Sequence, residues 1–485
     1  MSETQGAGVR RLARNSAFIL VARASSLIAR FVVTMVLARY LGRALFGDYN
    51  YVTALVGSFE LLADLGLNQI AIREIAKQRD RAGEYFGNAL ILKAITSLIA
   101  LIILGIVANT APAKPHVKLG LYLYGVSAIL NYLVNTYFVL YRALEQMQYQ
   151  ALLVLVERGL YVLLLIVFVS RQASFVSLFW ANMITVIVKL VVGMWINSTR
   201  FTLPKFRLDL ERYKEYMREA LPVGIGLIIA SVSVRIDIVL LGFLQSSDVV
   251  GAFSGPYRIV DAVGSMSAVL IIVLFPTMAR RAAVGSDAFG ELLQKAAKVM
   301  LLLGIPVSIG LIILARPATL LVLGGEFAES AVVLRVLTLV VVPIYINRLL
   351  NFAFISINRQ SEYALITGFA LILNVIIDLM LIPSLGYWGA TIGVISAECV
   401  RLVLSYWRIN RQVGQLHLWH TVKRLMIPNL ALAAVLLALA PWSWPVAAVV
   451  GATAYLALIL LGDTLDQDER RALRQALGIG GYLSG

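Results

Sequence analysis

The sequence predicts an all-α polytopic membrane protein of about fourteen spans, and three observations carry that expectation. Hydrophobic residues make up 60% of the 485 residues. Mean hydropathy is +0.84, and apolar runs recur along the whole chain with polar interruptions usually under about 25 residues. The runs are long and lack period-two alternation, which excludes a β-barrel.

In chain order, the first runs lie near 15-38 and 45-67. Leu41-Gly42 falls between them, and Gly42 suits a helix C-terminus, where a left-handed conformation carries little penalty. Runs near 86-108, 118-141, 150-170 and 174-197 complete a first half. The connection near 198-220 contains Phe201-Thr202-Leu203-Pro204 and alternating charges, and it reads as an amphipathic surface helix. Runs near 221-243, 250-275, 296-315, 331-354, 363-383 and 388-407 form a second half, and those near 423-440 and 444-462 follow. The expected division is therefore 1-197, a linker 198-220, 221-412, and an additional pair with its tail at 413-485. A weak repeat supports two halves: a Leu-Gly pair, a short turn, then Gly and an aromatic recur at 37-52 and 239-257, which gives Gly242 the role of Gly42.

Orientation follows from the basic residues. With the N-terminus inside, about 26 Lys and Arg fall on cytosolic segments against about six outside, so both termini are expected in the cytosol of a cell (inner or plasma) membrane. The formal net charge of +15 follows from that bias and from attraction to anionic membrane lipids. No soluble segment is long enough for a nucleic-acid-binding domain. The N-terminal run contains arginines and no small-residue cleavage site, so it reads as an uncleaved span. The single cysteine, Cys399, excludes an intramolecular disulfide framework.

Charges inside the spans carry the functional signal. Arg23 and Arg30 are seven residues apart and stack on one helix face, with Ser26 and Thr34 completing a polar stripe. A centrally placed Arg costs roughly 2.5 to 3.5 kcal/mol on insertion scales, and this span holds no acidic residue, so the stripe points to an anionic ligand. Arg235, Arg258 and Arg348 are further substrate-binding candidates, although Arg235 with Asp237 and Arg258 with Asp261 also fit internal ion pairs, as do Glu157 with Arg158 and Glu398 with Arg401. Lys93, Lys189 and Arg335 lie nearer span ends and read as snorkelling or paired. Glu60 and Asp64 share a face; they either neutralise the arginine stripe or bind a coupling H+ or Na+. Asn374 with Asp378 has the same two readings. Tyr132, Tyr137 and Tyr141, with Asn131 and Asn135, offer sugar contacts or ordinary packing.

Other motifs are discounted. Gly324-Gly325-Glu326-Phe327 spells a diguanylate cyclase signature but occupies a loop between spans. His417 and His420 have no nearby ligand to complete a metal site. No catalytic constellation is visible, and no cofactor is expected beyond the coupling ion.

Residues 37-52 (LARYLGRALFGDYNYV) and 63-77 (ADLGLNQIAIREIAK) resemble the opening of the polysaccharide transporter branch of the multidrug, oligosaccharidyl-lipid and polysaccharide exporter superfamily, which includes Wzx-type flippases. Residues 321-337 and 371-398 are similar to its second-half signatures, in which a Leu-Asn span precedes a Gly-x-x-Gly-Ala turn. The resemblance spans about residues 10 to 410. It implies two six-helix bundles around a central cavity, with the two extra C-terminal helices outside that core. It also implies a flippase that moves a polyprenyl-diphosphate-linked oligosaccharide to the outer leaflet in cell-surface polysaccharide biosynthesis, O-antigen among its products. Polymerase or glycosyltransferase partners would act beside it. The alternatives are a cation-coupled multidrug antiporter of the same superfamily, for which cavity arginines are unfavourable, and a membrane-embedded polymerase or ligase, for which the outer loops are too short.

Overall fold

A computed structural model describes residues 3–64, 66–110, 113–201, 205, 210–414 and 416–462. The described chain is 92% helical, without strands, as an apolar chain in lipid requires, because each backbone N–H and C=O must find its partner within its own segment.

The helices are α1 (Glu3–Asp64), α2 (Leu67–Lys77), α3 (Ala82–Thr110), α4 (Pro115–Val134), α5 (Thr136–Ala143), α6 (Met147–Ser170), α7 (Phe175–Arg200), α8 (Leu210–Leu244) and α9 (Ser247–Val284). They continue as α10 (Ser286–Ile313), α11 (Ala315–Val322), α12 (Ser330–Leu337), α13 (Val341–Ser356), α14 (Gln360–Leu385), α15 (Tyr387–Val413), α16 (Leu418–Leu439) and α17 (Trp444–Leu461).

Twelve of the described helices are long and apolar enough to cross a membrane, or thirteen with the bent pair Ser247–Ile271 and Leu274–Val284. The remaining difference from fourteen lies in α1. Its apolar part, Ala24–Phe59, is 36 residues long, roughly 54 Å at 1.5 Å per residue and well beyond one hydrocarbon core. The helix breaks at Gly42 (φ 67, ψ 177), a conformation that a side chain would strain. The two expected spans are thus two arms of one broken helix. Gly242 behaves otherwise: it stays inside α8, where an added Cβ would collide with the Tyr51 ring. The surface helix expected at 198-220 lies partly outside the described residues, and from Leu210 the helix runs unbroken into the span.

The chain forms two compact units, residues 1–258 with 367–393, and residues 259–366 with 394–485, so α9, α14 and α15 contribute residues to both. In the first, α1 packs along α3, α4, α6 and α8. Its second arm meets the start of α9 with backbones nearly touching: a Cβ on Gly47 would strike Ser247 O and Gly251 N, and one on Gly251 would strike Arg43 O. Polar contacts flank this crossing. Asp48 accepts a hydrogen bond from Ser247 and lies 2.9 Å from His116 Nε2, and Arg43 pairs with Asp248 at 2.7 Å. In the second unit α10 packs against α13 and α16, and α16 against α17. Large apolar side chains remain on the outside in helical rows, such as Ile95, Leu98, Ile99, Ile102 and Ile106 on α3. That pattern suits lipid as the solvent.

Candidate functional site

Asn50, Thr53 and Gly57 lie along one face of the second arm of α1, at i, i+3 and i+7. Two arginines from other helices reach that face. Arg258 Nε donates to Asn50 Oδ1 at 2.9 Å and its Nη2 to Thr53 Oγ1 at 3.4 Å. Arg235 Nη1 donates to Gly57 O at 3.0 Å and to Ser231 Oγ at 2.5 Å. Both are half-buried, and neither forms an ion pair among the described residues. Arg235 does not pair with Asp237, because residues two apart on a helix do not face each other. Guanidinium groups steadied by an amide, hydroxyls and a carbonyl keep their charge for an incoming anion.

A second group is neutral within itself. Lys189 on α7 is 1% exposed and donates to Glu157 Oε2 at 2.7 Å, Asn131 Oδ1 at 2.8 Å and Asn135 Oδ1 at 2.7 Å. Those three bonds use all the donors of an ammonium. Lys189 is therefore a buried hub and not a snorkelling residue. Glu157 prefers it to the adjacent Arg158, whose Nη2 lies 3.5 Å from Oε1. Lys93 is likewise buried, donating to Asn68 Oδ1 at 2.6 Å beneath the Tyr132 ring.

The third group joins two carboxyl groups and an amide. Asp237, Asn374 and Asp378 are 1%, 2% and 0% exposed. Asn374 Nδ2 donates to Asp237 Oδ1 at 2.9 Å, the Asp378 carboxyl faces Asp237 at hydrogen-bonding range, and neither Asp378 oxygen has a hydrogen-bond donor among the described residues. Two buried carboxyl groups brought together resist being charged at the same time, which suits the pair to sharing a proton or meeting a cation. Gly393 lies against the pair; a Cβ there would strike Asp378 Oδ1 and Asn374 Nδ2.

In the second unit Arg348 donates from Nη1 to Gly264 O at 2.9 Å. Glu398 pairs with Arg401 at 2.8 Å, as its spacing predicts, and accepts from Asn347 Nδ2 at 2.8 Å. Arg335 is exposed and donates to Ile312 O.

Other candidates from the sequence are placed as follows. Arg30 is exposed on the first arm of α1, and Thr34 bonds to its carbonyl at 2.9 Å. The side chains of Arg23, Glu60 and Asp64 lie outside the described ones. Asn131 and Asn135 serve Lys189, and Tyr141 packs on Tyr149 and Phe201. Gly325–Phe327 is a 3-10 turn between α11 and α12. His417 and His420 take part in no metal-binding group among the described residues. Sequence reasoning missed Asp237 as a companion of Asp378; the available signal was an Asp inside the apolar part of each of two helices, α8 and α14.

The family model described as "Polysaccharide biosynthesis protein" matches residues 12–281, more than half of the chain. The chain belongs to that family. The model of "Lipid II flippase MurJ" matches residues 159–458, and together they place the chain in the polysaccharide and lipid-linked flippase branch of the exporter superfamily. Its members are transporters and not enzymes. Among curated proteins it is similar to the probable low-salt glycan biosynthesis flippase Agl15 of Haloferax volcanii, 25% identical over 429 residues covering 86% of this chain and 88% of that one. The probable lipid II flippase MurJ of Vibrio cholerae is 24% identical over 273 residues, half of each chain. Of solved structures, the lipid II flippase MurJ in an inward closed conformation superposes with a TM-score of 0.75 at 11% identity, over 95% of this chain and 99% of that one. An inward-facing multidrug resistance MATE family transporter gives 0.64 at 18%, over 80% and 95%. These two likenesses show the fold.

Proposed function

We propose that the protein carries a polyprenyl-diphosphate-linked oligosaccharide from the cytosolic to the outer leaflet of the plasma membrane by alternating access, with both termini in the cytosol. The observation that carries the reading is the pair Arg235 and Arg258, two half-buried cations held on α1 by neutral groups and without an ion pair among the described residues. A dianionic head in a low-dielectric site needs such charge-assisted donors. Arg23 and Arg30 on the first arm of α1, and Arg348 on α13, are the further candidates for contacting the substrate. The curated relatives named as flippases support the same class.

Among the described residues no nucleotide-binding domain is present, and an ion gradient or consumption of the product is the drive in this reading. Asp237, Asn374 and Asp378 form the site best suited to H+ or Na+, because occupancy there would favour one orientation of the carrier over the other. Glu60 and Asp64 are the competing carboxylate pair.

The test is reconstitution in proteoliposomes with a labelled polyprenyl-diphosphate oligosaccharide. Wild type should deliver label to the opposite leaflet, and Arg235→Gln with Arg258→Gln should abolish delivery at normal expression. Efflux of cationic dyes without movement of the lipid-linked glycan would overturn the reading in favour of a drug antiporter.

A further inference from the structure

Arg158 on α6 has no assigned role, and its surroundings give it one. Its neighbour Glu157 is its obvious partner, yet the Glu157 carboxylate is directed to Lys189 at 2.7 Å, against 3.5 Å to Arg158. Arg158 Nε is buried with no hydrogen-bond partner among the described residues, while the side chain as a whole is 43% exposed. A guanidinium in that state is partly desolvated, loosely paired and still reachable.

Its position matters as much as its state. Tyr49 on α1 and Tyr161 on α6 join hydroxyl to hydroxyl at 3.0 Å. Tyr49 lies within electrostatic range of both Arg258 and Arg158, and Tyr161 within range of Arg158. Both arginines lie beside this tyrosine pair in the fold, Arg258 being fixed to Asn50 next to Tyr49 and Arg158 standing one helical turn before Tyr161.

Lys189 then acquires a function beyond filling space. Without its ammonium, the Glu157 carboxylate would turn to the cation next to it and cancel the Arg158 charge. Asn131 and Asn135 hold the ammonium in place by supplying its other two acceptors.

We propose that Arg158 is a second anion-binding arginine that grips the diphosphate head together with Arg258, and that Lys189 is a positioning residue that keeps Glu157 from neutralising it. This rests on the reading of the protein as a carrier of diphosphate-linked lipids. Two charge-assisted contacts from different helices would fix the head against both α1 and α6, which single-sided binding would not.

Binding of a fluorescent polyprenyl-diphosphate saccharide and of the neutral polyprenol to the purified protein tests both layers. Arg158→Gln should weaken diphosphate binding roughly ten- to a hundredfold, the range of a lost charged hydrogen bond, and leave polyprenol binding unchanged. Lys189→Met should weaken it similarly, and adding Glu157→Gln should restore most of the loss. If Arg158→Gln binds the diphosphate as wild type does while Arg258→Gln does not, the inference fails and the proposed function stands. If the double variant stays as weak as Lys189→Met, Lys189 has only a packing role and its positioning role is overturned. If wild type does not distinguish diphosphate from polyprenol, the underlying reading is what has failed.

Discussion

Two buried polar clusters in the first unit differ in a single respect. Around Lys189, one cation meets one carboxylate and two amide oxygens, and every ammonium donor is used. Around Asp378, two carboxyl groups and one amide meet, and neither Asp378 oxygen has a hydrogen-bond donor among the described residues. Both sit on membrane-spanning helices, where an uncompensated charge is costly. The first cluster is complete as folded and belongs to the architecture. The second brings two carboxyl groups together, and on the proposed reading an ion from solution would bind there.

The largest expected effect breaks the complete cluster. Glu157→Ala would strand Lys189 in the interior and should cost about 3 to 5 kcal/mol of stability, read as a lower thermal midpoint in detergent. Replacing both partners, Glu157→Gln with Lys189→Met, should recover most of that. A smaller effect on stability, with a large one on transport, is expected at the incomplete cluster. Asp378→Asn relieves repulsion between two carboxyl groups, so the fold should be as stable as wild type or more so, while stimulation of flipping by an imposed pH or Na+ gradient disappears. Should Glu60→Gln with Asp64→Asn abolish that stimulation instead, with Asp378→Asn still responsive, the coupling ion belongs to α1. The smallest change is Gly393→Ala. Its methyl group intrudes on Asp378 and Asn374, and overpacking of this kind typically costs about 1 to 3 kcal/mol. The gradient concentration needed for half-maximal stimulation should rise, and an unchanged value would mean that the site tolerates expansion and that Gly393 does not set its size.

The architecture was legible in the sequence because lipid imposes one local rule, a long apolar run for each crossing, and that rule survives without knowledge of neighbours. Gly42 was legible for a similar reason, its requirement being local backbone geometry. Gly242 was not, because its requirement comes from Tyr51, far away in the chain. The same distinction governs the charges. The Glu398–Arg401 pair follows from helical spacing alone. The choice of Glu157 between Arg158 and Lys189 depends on how α6 packs against α7, and the meeting of Asp237 with Asp378 depends on α8 reaching α14. Spacing within one helix can nominate such residues but cannot match them across helices. The short α11 and α12, and the 3-10 turns beside them, were likewise absent from a reading by hydropathy, since α11 falls in the connection between two expected runs and α12 merges with the start of the second.

The crossing of α1 and α9 at Gly47 and Gly251 has an electrical consequence. A protein that draws on an ion gradient must not short-circuit it, and protons leak wherever a file of water molecules can thread between helices. Where two backbones meet so closely that not even a methyl group fits, no such file can form, because a water needs far more room than that gap provides. The two glycines close that stretch of the seam to water, and any side chain there would prise it apart, which would leak the gradient if transport draws on one as proposed.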